Sequence, residues 1–226
     1  MAAESASFDC IDGLLRARHS CRGFQPKQVP RETIERLFST AQTTASWCNT
    51  QPWQIVVTGG AETERFRSAL VTHVGGHKPS PDLDHPVYQD CYLDRRRECG
   101  FALYESVGIA RGDREGSARQ AAQNFTFFGA PHVAIISAPK SLGSYGAIDC
   151  GGYVANFLLI AQSLGLASIP QAALAAHADF IHAYFNIADD RNVVCGISFG
   201  FEDTDHPANS FRTTRASLDD AVDFRF

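Results

Sequence analysis

Two guanidiniums, an imidazole and a hydroxyl fall within five residues of this chain, in Arg18-His19-Ser20-Cys21-Arg22. This donor set suits a phosphate monoester or a polarised carbonyl, because the guanidinium fork meets two anionic oxygens at once. A second segment, Ser46-Trp47-Cys48-Asn49-Thr50-Gln51-Pro52-Trp53, places two amides beside a Pro-Trp pair that opens the apolar run Gln54-Ile55-Val56-Val57. Asn49 and Gln51 alternate along an extended stretch, so both can face one ligand edge. An amide both donates and accepts, so the pair can match a heterocycle offering carbonyl oxygens and a ring N–H. Alone, Arg-x-Ser-x-Arg is equally an exposed helix end and its neighbour.

Elements that must hold these segments follow from hydrophobic periodicity. Phe8, Ile11, Leu14 and Leu15 predict a helix ending near Arg18. Pro26 and Pro30 bracket a loop, and Ile34, Leu37, Phe38 and Ala41 mark a second helix. Trp53 to Thr58 reads as a strand closed by Gly59-Gly60, and Phe66, Ala69, Leu70 and His73 as a third helix. Gly75 to Pro86 is a turn-rich loop, Val87 to Ile109 an imperfect helix, and Glu115 to Phe128 another helix. His132 to Ala138 is a buried strand, and Ile148 to Leu164 a helix apolar on nearly every side, with Gly165 as a left-handed C-cap. A short helix over Phe180–Phe185, a core strand over Arg191–Phe201 and a capped turn at Ser217–Asp220 complete the chain. Two or three strong strands are too few for this much helix, so weak strands hide in loops or a partner chain completes the core.

The composition narrows the function. The chain has 226 residues and a net charge of −5, the size of one domain spanning residues 1–226 and a poor match for nucleic acid. Its triplet of basic residues, Arg95-Arg96-Arg97, is flanked by Asp94 and Glu98 and reads as a solvated helix face. Only Lys27, Lys78 and Lys140 are lysines among 20 basic residues, a bias toward bidentate anion recognition. Seven cysteines without a Cys-x-x-Cys pair, no signal-peptide pattern and no apolar stretch of membrane length indicate reduced thiols, a cytoplasmic protein and no membrane partner. His73, His77, Asp82, Asp84 and His85 do not make a metal site, because Gly75-Gly76 weakens the helix that presents the imidazoles. Cys48 has no neighbouring base in sequence and is read as passive. No Gly-x-Gly-x-x-Gly follows a strand, which disfavours a dinucleotide-binding Rossmann fold.

The two segments, in this order and separated by one helix, resemble the flavin-binding signature of the FMN-dependent nitroreductase family; Thr44-Ala45-Ser46 stands where that family usually has Ala-Pro-Ser. The resemblance runs from Leu14 to about Val222 and is weakest from Gly75 to Gly116. It implies an α+β fold, a small central mixed sheet wrapped by helices, in an intertwined homodimer with FMN at the subunit interface. It also implies that Arg18, His19, Ser20, Arg22, Ser46, Asn49 and Gln51 bind the cofactor. Arg22 would stand at the flavin N1 and C2 carbonyl. Ile169-Pro170-Gln171-Ala172-Ala173 matches the loop whose backbone N–H faces flavin N5, with Gln171, Ala172 and Ala173 as the site residues. Pro207 to Arg215 matches a closing phosphate-binding segment that contributes Arg212 and Arg215.

The implied chemistry is ping-pong transfer of hydride from NADPH or NADH, through flavin, to a small aromatic acceptor, a nitroaromatic or quinone. No protein acid or base need take part, since solvent can protonate a nitro oxygen. Tyr92, Arg96, Phe101, Tyr104, Phe127 and Phe128 are candidate pocket residues, with ordinary helix packing the stronger reading for each. Similar scaffolds resemble reductive dehalogenases, flavin-fragmenting enzymes and ene-reductases, and a flavin-binding protein without turnover is the rival from another class.

Overall fold

The computed structural model describes residues 2–226. Its elements are α1 (Ala2–Ala17), α2 (Arg31–Ala41), β1 (Gln54–Gly59), α3 (Ala61–Gly76), α4 (Asp90–Ser106), α5 (Arg114–Ala122), β2 (His132–Pro139), α6 (Gly143–Ser163), β3 (Ala167–Gln171), α7 (Ala172–Ala175), α8 (Ala178–Phe185) and β4 (Arg191–Gly200). The four strands form one sheet in the order β1-β2-β4-β3, antiparallel at every pairing. The expected mixed sheet is therefore antiparallel in its named strands. Parallel pairing enters at an isolated bridge, Ser20 to Ser168, which attaches the first functional segment to β3.

Helices cover both faces of the sheet, so β2 is buried along nearly its whole length rather than at alternate residues. Along β2, Val133 and Ile135 enter one core with Phe66, Leu70 and Phe127, while Ala134 and Ile136 enter the other with Leu37, Tyr153 and Phe157. A bulge opposite Ile136 and Ser137 leaves Val194 out of the register of β4. The extra residue reverses the parity of the strand, so Val193 joins the first core and Ile197 and Phe199 the second.

β3 is the strand that the periodicity did not reveal. Ala167 to Gln171 contains a proline and lies at the sheet edge, where a missing N–H costs no ladder bond. Before it, α6 ends as expected: Gly165 has φ +71°, its N–H donates to Gln162 O, and Leu166 N–H donates to Ala161 O. These are the two bonds of a Schellman motif. The helix expected to reach Phe128 stops at Ala122, and Phe127 and Phe128 follow in left-handed conformations. Both rings are core, Phe127 stacking on Phe66 at 5.1 Å, so neither lines a pocket. Helix α6 begins five residues earlier than expected, and one side of it, Ile148, Gly151, Gly152 and Ala155, is exposed.

His132 ties the sheet to the approach to α2. Its Nε2 accepts from Val29 N at 3.0 Å, which assigns the proton to Nδ1, 3.1 Å from Thr58 O. Burial holds this imidazole below its ordinary value of 6.5, and the bond to Thr58 opposes that only in part. A depressed histidine contributes stability that is present above about pH 6.5 and lost as pH falls, because the unfolded chain binds the proton first. His132→Gln should therefore lose about 1–3 kcal/mol at pH 8. Urea midpoints should show this deficit shrinking as the pH drops below 6.5; a deficit constant from pH 8 to pH 5 would contradict the assigned protonation.

Candidate cofactor site

A cleft of about 700 Å³ gathers Arg18, His19, Ser20 and Arg22 with Arg212 and Arg215, six of the residues singled out in the sequence. The first four lie where the chain leaves α1 and crosses the end of β3, pinned by the Ser20–Ser168 bridge and by Cys21 N–H donating to Ser168 O at 3.2 Å. Gly23 is required next, since a Cβ there would stand 2.2 Å from the His206 ring. Arg212 and Arg215 arrive from the opposite end of the chain, after a turn at Pro207–Asn209. Phe211 lies under the Arg22 guanidinium at 5.6 Å.

The charges in this cleft are unbalanced. Arg16, at its rim, is paired with Asp12 at 2.7 Å. Among the described residues, no carboxylate lies within 4.0 Å of Arg18, Arg22, Arg212 or Arg215. Burial pushes the Arg18 guanidinium below its ordinary value, and the like charge of Arg215 pushes it further. Burial does the same to Arg22. Arginine nevertheless stays charged, so the cleft is a site for an anion. His19 reaches Glu202 through Nε2 at 2.9 Å, and Ser20 lines the cleft beside it. Cys99, from α4, closes the side of the cleft nearest Arg22.

Ser46, Asn49 and Gln51 do not line this cleft. They form a separate, solvent-facing knot in which Cys48, Asn49 and Gln51 all have positive φ, between +46° and +56°. Such backbone costs about 1–3 kcal/mol per residue and persists only where neighbours over-determine it. Several do here. Trp47 N–H donates to the Asp149 carboxylate at 3.1 Å, and Gln51 N–H donates to Ser46 Oγ at 2.9 Å. Gln51 Nε2 donates to Asn49 Oδ1 at 3.0 Å, and Gln42, itself held by Trp53 Nε1, donates to Gln51 Oε1 at 3.1 Å. The buried Arg191 donates to Pro52 O at 2.9 Å. The two amides are thus fixed and exposed together.

Gln171, Ala172 and Ala173 sit where β3 turns directly into α7, so the expected loop is a strand end and a helix start. The Gln171 side chain is buried and committed, donating to Asn124 O at 2.8 Å and accepting from Ser198 Oγ. Ala172 and Ala173 open the helix, and the first N–H groups of a helix have no intrahelical acceptor. Of the candidate pocket residues, Phe101 and Tyr104 line a different cleft with Arg111, Tyr92 is largely exposed, and Arg96 lies over Tyr88 at 5.2 Å. His73 and His77 stack at 4.3 Å, and among the described residues no three His, Cys, Asp or Glu side chains are placed to hold a metal ion. The sequence reading missed Glu202, Asn209, Gln42, Asp149 and Cys99. Only Asn209 carried a signal, by lying inside the segment that supplies Arg212 and Arg215.

The chain is similar to known proteins over nearly its whole length. Nitroreductase NfnB of Mycolicibacterium smegmatis is 34% identical over 213 residues, covering 93% of this chain and 91% of that protein. A 4-nitrobenzoate reductase of Pseudomonas putida is 32% identical over 210 residues, covering 92% of each. The crystal structure of the FMN-dependent NfnB from Mycobacterium smegmatis in complex with NADPH superposes with a TM-score of 0.92 at 33% identity, over 96% of this chain and 99% of that one. The FMN and NADPH-dependent NfnB of Sphigopyxis sp. strain HMH does so with 0.92 at 30% identity, over the same shares. A family model described as the Nitroreductase family matches residues 15–201. This chain belongs to the Nitroreductase family.

Proposed function

We propose that this protein is an FMN-dependent oxidoreductase that passes hydride from NADPH or NADH to nitroaromatic or quinone-like acceptors. The observation that carries the reading is the cleft in which Arg18 and Arg215 face each other without a counter-charge. A phosphate monoester carries about −1.5 to −2 charges and three acceptor oxygens, which fits two guanidiniums and the Ser20 hydroxyl. When bound, FMN supplies the two-electron relay between the nicotinamide and the acceptor that replaces it.

The chain's own residues bind and tune. Arg18, Arg212 and Arg215 neutralise the phosphate and the Ser20 hydroxyl donates to it, with His19 lining the same cleft. Arg22 favours the negative charge that two-electron reduction leaves on the flavin pyrimidine; if this is worth ~1–2 kcal/mol, the potential rises by roughly 20–45 mV. Asn49 and Gln51 match the donors and acceptors of the pyrimidine edge. The N–H groups that open α7, at Ala172 and Ala173, are free of helical acceptors and suited to the hydride-accepting nitrogen. No side chain need transfer a proton.

Two copies make one complete site in this reading. Asn49 and Gln51 lie outside the arginine cleft, so an intertwined homodimer brings them to the cleft of the second protomer. Exposed apolar faces support it: Phe8, Ile11 and Leu15 of α1 are 68%, 57% and 53% exposed, and the Ile148–Ala155 side of α6 is open. One domain, residues 1–226, carries the activity. All seven cysteines are free thiols, which fits the reducing cytoplasm, and no helix of the described residues is long and apolar enough to cross a membrane.

The deciding experiment is anaerobic addition of NADPH, and separately NADH, to the yellow protein, followed by a nitroaromatic. Bleaching by a donor and recovery with the acceptor is the expected result; a flavin that neither donor bleaches would make this a binding protein without turnover. Arg18→Ala should purify largely colourless, and full FMN occupancy would remove Arg18 from the phosphate site. Arg22→Gln should lower the flavin potential by roughly 20–45 mV in a dye-equilibration titration. An unchanged potential would remove Arg22 from the pyrimidine edge.

A further inference from the structure

The two arginine-bearing segments are some 190 residues apart in sequence, and something must hold them in register across the cleft. Strand pairing does part of this upstream. Gln25 N–H donates to Phe201 O at 2.9 Å, Phe24 bridges Glu202, and Asp203 N–H donates to Gly23 O at 3.0 Å. These contacts stop short of Arg212 and Arg215.

Asn209 lies between them and the two arginines. It is 4% exposed, and its amide is bonded at both atoms. Oδ1 accepts from Arg22 N–H at 2.7 Å, while Nδ2 donates to Gly23 O and to Asp203 O, both at 2.9 Å. Its own carbonyl accepts from Arg212 Nη1 at 2.7 Å. One residue therefore holds the Arg22 backbone through its side chain and the Arg212 guanidinium through its main chain. The chemistry requires an amide, since a carboxylate cannot donate to two carbonyls and an aliphatic side chain can do neither.

We propose that Asn209 is a positioning residue for the phosphate cradle. Its side chain staples the segment carrying Arg212 and Arg215 to the segment carrying Arg18 and Arg22. The proposal rests on the reading of this cleft as the FMN phosphate site. Without the staple the upstream pairing remains, but Arg212 and Arg215 lose their registration on the opposite wall. Because Cys21 N–H on Ser168 O, Gln25 N–H on Phe201 O and the Ser20–Ser168 bridge still hold the segment that carries Arg22, what suffers is recognition of the phosphate, not of the isoalloxazine ring.

FMN and riboflavin differ only by that phosphate, so the ratio of their dissociation constants isolates the cradle. Flavin-stripped full-length protein is titrated with each, followed by quenching of flavin fluorescence. The wild type should bind FMN much more tightly than riboflavin. Asn209→Ala should weaken FMN binding by about tenfold or more, a loss of roughly 1.4 kcal/mol, and leave riboflavin binding within about twofold. An unchanged FMN affinity, or equal losses for both ligands, would overturn the proposal, the second outcome marking a merely structural asparagine. If Asn209→Ala does not fold, Asn209→Ser keeps an acceptor for Arg22 N–H but cannot bridge both carbonyls, and the same ratio decides. A wild type that does not prefer FMN over riboflavin would overturn the reading of the cleft itself.

Discussion

Unneutralised positive charge in a partly buried cleft is the constraint on which this structure depends. Burial and the like charge of Arg215 depress Arg18, Arg22 is desolvated, and no carboxylate among the described residues pairs with Arg18, Arg22, Arg212 or Arg215. A protein gains nothing in stability from such an arrangement, because buried like charges repel and lose hydration. Its sense is binding: an anion recovers the repulsion and the desolvation together. Much of the surrounding fold keeps these guanidiniums in place, from the parallel bridge between Ser20 and Ser168 to the close packing of Gly23 against His206.

A second cost is stored at the amide segment. Left-handed backbone at Cys48, Asn49 and Gln51 persists because Asp149, Ser46, Gln42 and Arg191 fasten the loop from three directions. In both places the chain departs from its lowest local energy to hold polar groups in a set geometry. Strain of that kind is found where geometry has to be set before a ligand arrives. The exposed stripes on α1 and α6 add a third unfinished surface. The proposed dimer, with two shared flavins, accounts for all three together.

Much of this was legible in the sequence, for identifiable reasons. Helix periodicity placed α1, α2 and α3 well, and the Gly165 cap marked the end of α6. Residues 18–22 announced an anion site by type, the family resemblance added Arg212 and Arg215, and the structure brings these arginines into one cleft. Tertiary context decided the rest. β3 was hidden because an edge strand tolerates Pro170, and α5 ended early because Phe127 and Phe128 turn left-handed to enter the core. Gln171 looked available for a ligand, yet its amide is spent on Asn124 and Ser198. Glu202 could not be picked out, since its role exists only once distant segments meet, and Asn209 was marked only by the segment it lies in.

The most direct measurement is a crystal structure of the protein with FMN bound. The account predicts phosphate density between Arg18 and Arg215 of one protomer. It also predicts that the flavin pyrimidine edge lies against Asn49 and Gln51 of the partner subunit. Phosphate bound away from the arginine cleft, or a flavin enclosed by one protomer alone, would contradict it.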